Sequence, residues 1–241
     1  MVKPVKPVGQ SEAKASDCLS RRQILLTGVS VIGTTGLFGS IDPARADTSA
    51  TPIYAIRQNG DMLFYKHAGT SDGSPNWPIQ AKQVGNGWDF RQVFAGANGA
   101  IYAIRQNGDM LFYKHAGADD GSANWPIQAR QIGNGWDFQH VFAGGNGAIY
   151  AIRQNGDMLF YRHAGTNDGS PDWPIQAKQI GNGWDFQHVF AGGGGAIYAI
   201  RQNGDMLFYK HAGTSDGSPN WPIQAKQVGN GWNFRQVFVS R

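Results

Sequence analysis

One feature limits what this chain can fold into more than any other: most of it is a single passage written four times. "IYAIRQNGDMLFY" begins at Ile53, Ile101, Ile149 and Ile197, a period of 48 residues that fills the chain from residue 53 onward. Short apolar runs at this period, without helical spacing, predict propeller blades of about four strands each. In one unit the strands are "RQVFAG" (91–96), "AIYAIRQ" (100–106), "DMLFYKHA" (109–116) and "IQARQIG" (127–133), innermost first. Asn107-Gly108 joins the second to the third, and this dipeptide predicts a type I′ hairpin turn with both central residues at positive φ. On the third strand Met110 and Phe112 share one face, Leu111 and Tyr113 the other. Apolar residues on both faces suit a sheet covered on both sides.

The turn before the second strand reads "GANG", "GGNG" and "GGGG", so Asn146 gives way to Gly194 at the equivalent place. Asn and Gly share a tolerance for left-handed backbone, which predicts positive φ there. The first copy opens on its second strand, while the last ends on "FRQVFVS" (234–240), an innermost strand. The expected fold is all-β, a β-propeller of four four-stranded blades. Its ring closes when the C-terminal strand joins the N-terminal blade and hides the sheet edges.

The formal net charge of +4 belongs mostly to the leader. Six of the 21 Lys/Arg and three of the 17 acidic residues lie in residues 1–46, leaving 15 against 14, spread singly. No footprint for a nucleic-acid backbone remains. The leader itself contains "SRRQILL" (20–26), which resembles the twin-arginine motif of bacterial export signals. A diluted apolar stretch follows, then Ala44-Arg45-Ala46, an A-x-A-type cleavage site. The expectation is a removed signal over residues 1–46, a linker over 47–52, a propeller domain over 53–241, and a secreted or periplasmic product with no membrane attachment. An uncleaved anchor is the alternative, though Gly, Ser and Thr make the stretch a poor spanning helix. The one cysteine, Cys18, and the one glutamate, Glu12, both fall in the leader. The rest therefore holds no disulfide, no thiolate nucleophile and no Cys-based metal site.

"NWPIQAKQVGNGWDFRQVFAGANGAIYAI" is similar to the blade repeat of the tachylectin-type β-propeller lectins. The resemblance rests on Asn76-Trp77, on Val84 through Trp88, on Phe90 and Val93-Phe94, and on Ile101 through Ile104, and it covers residues 53–240. It implies a propeller that binds N-acetylated sugars, with one site per blade between neighbouring sheets. Two departures stand out. The best-known members have five blades against four repeats here, which leaves open closure between chains or a five-blade ring made by oligomerisation. The turn here is Gly-Asn-Gly-Trp-Asp-Phe, where the family more often writes Gly-Gly-Trp.

Within each repeat several residues are candidates for touching sugar. Trp77, Trp125, Trp173 and Trp221 offer a flat apolar face and an N–H, or pack the outer blade. Asn76, Asn124, Asp172 and Asn220 directly precede them. Trp88, Trp136, Trp184 and Trp232 follow the Gly-Asn-Gly turn and lean towards anchoring it. Asn86, Asn134, Asn182 and Asn230 combine that turn with an amide suited to an acetamido group. Asp72, Asp120, Asp168 and Asp216, in "DGS" loops, cap the turn through their own backbone or contact a hydroxyl. The first Trp, with Asp72 and Asn86, is the favoured contact. His67, His115, His163 and His211 read as hydrogen-bonded structural residues, one per blade. His140 and His188 alternate with Gln92 and Gln236, so no function common to all blades requires them.

The expected function is a secreted multivalent lectin for glycans bearing N-acetylglucosamine or N-acetylgalactosamine, with no catalytic residue, metal or cofactor. A protein-interaction propeller is the alternative. A propeller enzyme is a further one, disfavoured because the carboxylates recur symmetrically rather than forming one asymmetric constellation.

Overall fold

A computed structural model describes residues 50–70, 72–234 and 237. Blade 1 shows β1 (Thr51–Ile56), β2 (Met62–His67) and β3 (Ile79–Gly85). Blade 2 is β4 (Gln92–Ala95), β5 (Ala100–Ile104), β6 (Met110–Lys114) and β7 (Ile127–Gly133). Blade 3 is β8 (His140–Gly145), β9 (Ala148–Ile152), β10 (Met158–Arg162) and β11 (Ile175–Gly181). Blade 4 is β12 (His188–Ala191), β13 (Ala196–Ile200), β14 (Met206–Lys210) and β15 (Ile223–Gly229). Every pairing is antiparallel, and within each sheet spatial order follows chain order. The first strands of successive sheets, β4 with β8 and β8 with β12, approach one another on the inner side. The chain is a four-bladed β-propeller, with no helix among the described residues. The closure expected from residues 234–240 falls outside the described residues except for Phe234 and Val237.

The hairpin between β5 and β6 departs from the type I′ expectation. Gly108 sits at φ +84° while Asn107 stays out of the positive region. The Gly108 N–H donates to the Arg105 carbonyl at 3.0 Å and the Arg105 N–H to Asp109 at 2.9 Å. This is the longer loop in which glycine alone takes the left-handed position. The side chain of Asn107 accepts from the Asp109 N–H at 3.1 Å and donates to the Asp109 carboxylate at 2.9 Å, so asparagine works through its amide rather than its backbone. The other turn behaves as read: Asn98, Asn146 and Gly194 lie at φ +56°, +51° and +60°. A feature the sequence conceals is Ala81, at φ +47°, with Ala129, Ala177 and Ala225 alike. Each lies in an outer strand where two residues face one on the neighbour, as where Phe64 pairs with Lys82 but Lys66 with Ile79. Such bulges bend a strand and spoil an exposed edge as a template for pairing.

Period-two alternation gives each blade a large and a small face. Tyr102, Ile104, Met110 and Phe112 of blade 2 pack on Ile149 and Ala151 of blade 3. Ile101 and Ala103 meanwhile receive Met62 and Phe64 of blade 1. Tyr150, Ile152, Met158 and Phe160 repeat the first arrangement against blade 4. Phe64, Phe112 and Phe160 are fully buried at 0 % exposure, and each such side chain stabilises by about 1.5–3 kcal/mol. The small alanine on one sheet leaves room for the aromatic of the next.

Hydrogen bonds repeat across the same joints. The Tyr102 hydroxyl meets His163 Nδ1 at 2.9 Å, as Tyr54 meets His115 at 2.7 Å and Tyr150 meets His211 at 2.8 Å. The opposite nitrogen, Nε2, lies 2.9 Å from the carbonyl oxygens of Ser122, Ser170 and Ser218. A carbonyl only accepts, so Nε2 carries the proton and Nδ1 accepts from tyrosine. These imidazoles are neutral and fully used. His140 donates to the Phe186 carbonyl at 3.2 Å and Gln92 to the Val141 carbonyl at 2.6 Å, so His and Gln exchange as side-chain donors from an inner strand to the next blade.

Burial holds His115, His163 and His211 below the ordinary imidazole value, against the opposing pull of the serine carbonyls and nearby aspartates. Lowered folded-state values mean that the unfolded chain binds protons more readily. Stability is then whole above the ordinary value of 6.5 and is lost as pH falls below it. The thermal midpoint is expected to drop as pH is lowered from that value. His163→Gln should remove only part of this pH-dependent drop, since His115, His211 and the likewise lowered His140 share it. Melting curves across the range check this.

Candidate functional site

The Gly-Asn-Gly-Trp turn is built by the preceding hairpin. The Trp88 N–H donates to the Gly60 carbonyl at 2.9 Å, and Trp136, Trp184 and Trp232 bond Gly108, Gly156 and Gly204 in the same way. The indole of Trp88 then folds back over Gly85, where any Cβ would collide with its Nε1, and the same holds for Trp136 over Gly133 and Trp184 over Gly181. The ring ends at the joint with the next blade, its centroid 4.5 Å from Tyr113 and 5.6 Å from Trp125, with Phe90 at 5.7 Å. Trp136 with Tyr161 and Trp173, and Trp184 with Tyr209 and Trp221, repeat the cluster.

The first tryptophan of the second, third and fourth repeats has a different task. Trp125 Nε1 donates to the Val84 carbonyl of the preceding blade at 2.6 Å, Trp173 to Ile132 at 2.7 Å and Trp221 to Ile180 at 2.8 Å. Their rings also lie against His115, His163 and His211, 4.5–4.7 Å between centroids. These indoles are joints between blades, and the N–H expected to be open to sugar is already used. The four aspartates likewise cap their loops: Asp72, Asp120, Asp168 and Asp216 accept from the backbone N–H of Ser74, Ser122, Ser170 and Ser218 at 2.8–3.0 Å. Those hydrogen bonds hold all four carboxyls below the usual carboxylate range. Asn76, Asn124, Asp172 and Asn220 serve through backbone, their carbonyls accepting from Ala68, Ala116, Ala164 and Ala212. Their side chains are exposed.

What remains for a ligand is the other half of the joint. No buried side-chain N or O among the described residues lacks a hydrogen-bond partner. The Nε1 of Trp88 donates to none of these residues, so this N–H reaches water although its residue is only 7 % exposed. Trp136 and Trp184 stand alike, at 4 % and 5 %. Asn86, Asn134 and Asn182, two residues before them in the same turns, have exposed side chains. Tyr113, Tyr161 and Tyr209 close the cluster from the following blade, and burial raises their phenols above the ordinary value against the nearby Arg105, Arg153 and Arg201. In the sequence these tyrosines stand only as residues of a covered sheet face, and their alternation with Phe112-type residues is the one signal that marks them as candidates. Asp89, Asp137 and Asp185 follow the turn exposed, and Asp137 is bridged at 2.6 Å by Arg91 of blade 2. Each joint thus offers an aromatic wall and an indole N–H, and the turn that leads into it carries an exposed primary amide.

Trp173→Phe removes the bond to Ile132 while keeping an aromatic at the joint. It should lower stability by about 1–2 kcal/mol, the cost of leaving a buried carbonyl unpaired. Asn134→Ala should leave stability unchanged within about 0.5 kcal/mol, as for an exposed side chain without a partner. Urea denaturation of both variants measures the difference.

A solved structure described as "The de novo evolutionary emergence of a symmetrical protein is shaped by folding constraints" is similar to this chain. It has 23% identity and a TM-score of 0.51 over 76% of either chain. Yeast RCC1 (Prp20), in a crystal structure with Kap60, aligns at 12% identity and a TM-score of 0.40, covering 76% of this chain and 48% of the other. No curated protein matches. The Tachylectin family matches residues 26–120 and 106–241, and together with the repeated blades and aromatic joints this match means that the chain belongs to the Tachylectin family.

Proposed function

We propose that the chain is a non-catalytic, multivalent lectin for glycans bearing N-acetylglucosamine or N-acetylgalactosamine, with one site at each joint between blades. The observation that carries this reading is the indole N–H of Trp88, Trp136 and Trp184, water-accessible on an otherwise buried aromatic residue, with an exposed asparagine two residues before it in the same turn. An acetamido group has a methyl to lay on an aromatic wall, a carbonyl to accept from an indole N–H, and an N–H to donate to an amide oxygen. Family membership supports carbohydrate as the ligand class. Single sites of this kind are weak, and several on one rigid scaffold raise avidity by about 10²–10⁴ on a multivalent surface.

Calorimetry with N-acetylglucosamine and N-acetylgalactosamine, beside a glycan array, tests the reading. The expected result is binding that saturates at three equivalents per isolated chain, one for each joint among the described residues. Asn86→Ala, Asn134→Ala and Asn182→Ala combined should abolish it without unfolding the protein. No binding to any N-acetylated glycan would overturn the reading.

Residues 1–46 are proposed to direct export by the twin-arginine route, on the strength of Arg21-Arg22 and Ala44-Arg45-Ala46. Expressed in a bacterium with that route, the protein should be found outside the cytoplasm with Asp47 as its first residue. Arg21→Lys with Arg22→Lys should retain it inside, as read by fractionation and N-terminal sequencing.

A further inference from the structure

Three joints between blades are made within the chain, and each uses one set of parts. The trailing face of a blade supplies the tyrosine hydroxyl, a carbonyl acceptor and a basic side chain. The leading face of the next supplies the histidine, the first tryptophan and the "DGS" loop. At the last of these joints Tyr150 meets His211, Ile180 accepts from Trp221, and Lys178 donates to the Asp216 carbonyl at 3.0 Å.

Both halves of a fourth joint are present in the chain but apart. On blade 4, Val228 is 49 % exposed where its counterpart Val84 is 2 %. On blade 1, Ile53 is 39 % exposed where Ile197 is 0 %. Among the described residues Tyr198 meets no imidazole, and Lys226, the counterpart of Lys178, makes no hydrogen bond. Gly73 has open space around it, whereas its counterparts Gly121, Gly169 and Gly217 seat their loops against Phe64, Phe112 and Phe160 of the preceding blade. The blade 1 half is nonetheless assembled. His67 is held by the Ser74 carbonyl at 3.0 Å, and Trp77 lies against it at 4.5 Å, as at the joints already made.

We propose that the blade 4 face around Tyr198, Lys226 and Val228 of one chain docks on the blade 1 face around His67, Trp77 and Ile53 of a second copy. The contact makes between chains the joint that the chain makes three times within itself. The second copy is the occupant because the mating surface is written in the same sequence. Tyr198 corresponds to Tyr150, His67 to His211, Trp77 to Trp221 and Lys226 to Lys178, so the hydrogen-bonding groups that hold blade 3 to blade 4 are all available. The two faces differ, which makes the contact head-to-tail: each chain offers one of each, and assembly proceeds until a ring closes or a filament grows. Such association rises with concentration by mass action. The inference does not depend on sugar binding.

Sedimentation and light scattering of the full chain over a range of concentrations test it. The expected mass rises from one chain to a multiple. Val228→Asp alone and Ile53→Asp alone should each hold the protein at one chain with an unchanged melting midpoint, since both side chains are exposed in the single chain. Mixing the two variants should restore a pair of chains and nothing larger, because only one intact face of each kind is then present. A wild-type mass of one chain at every concentration would overturn the proposal. So would Val228→Asp lowering the midpoint as far as Ile180→Asp, the mark of a joint closed within one chain. Assembly that survives both variants, or variants that do not pair on mixing, would overturn it as well.

Discussion

An imidazole between a tyrosine hydroxyl and a loop carbonyl holds each blade to the next. His163 receives the proton of Tyr102 from blade 2 and gives its own to Ser170 of its own loop. One neutral side chain thereby fixes the second strand of one sheet, the end of the third strand of the next, and the "DGS" loop beyond it. Both ring nitrogens are used away from bulk water, where an unmet polar group is costly and a satisfied chain of hydrogen bonds specifies one arrangement. Other parts assume that wedge: Trp173 lies on the His163 ring before its N–H reaches Ile132, and Gly169 seats the loop against Phe112.

The candidate ligand site is the remainder of this joint. Of two tryptophans eleven residues apart, one donates its N–H inward to the neighbouring blade, while the other spends its backbone N–H on the hairpin turn and keeps its indole N–H for water. Its aromatic wall is drawn from two sheets at once, so the candidate site is complete only where two blades are mated.

Much of this was legible along the chain, because the relevant forces act between near neighbours in sequence. Strand order followed from short apolar runs, both covered faces from Met110 and Phe112 alternating with Leu111 and Tyr113, and a left-handed turn from Asn146 exchanging with Gly194. The hairpin at Asn107-Gly108 was also legible, but its type was not, because the Asn107 amide bonds Asp109 and holds its own backbone out of the positive region. The left-handed Ala81 gave no sign at all, since alanine has no preference for that conformation and only the bulge against β2 imposes it.

By itself, then, the sequence determined a β-propeller of four 48-residue blades, the place of each strand, and the pool of aromatic and amide residues from which a site is drawn. Tertiary structure alone decided which member of that pool does what. The acceptor of Trp125 lies 41 residues away in the preceding blade, and the partner of Tyr102 lies 61 residues ahead in the following one. Repetition makes the tryptophans look equivalent along the chain, whereas the stagger between neighbouring sheets makes one of them a fastening and leaves the other its free N–H.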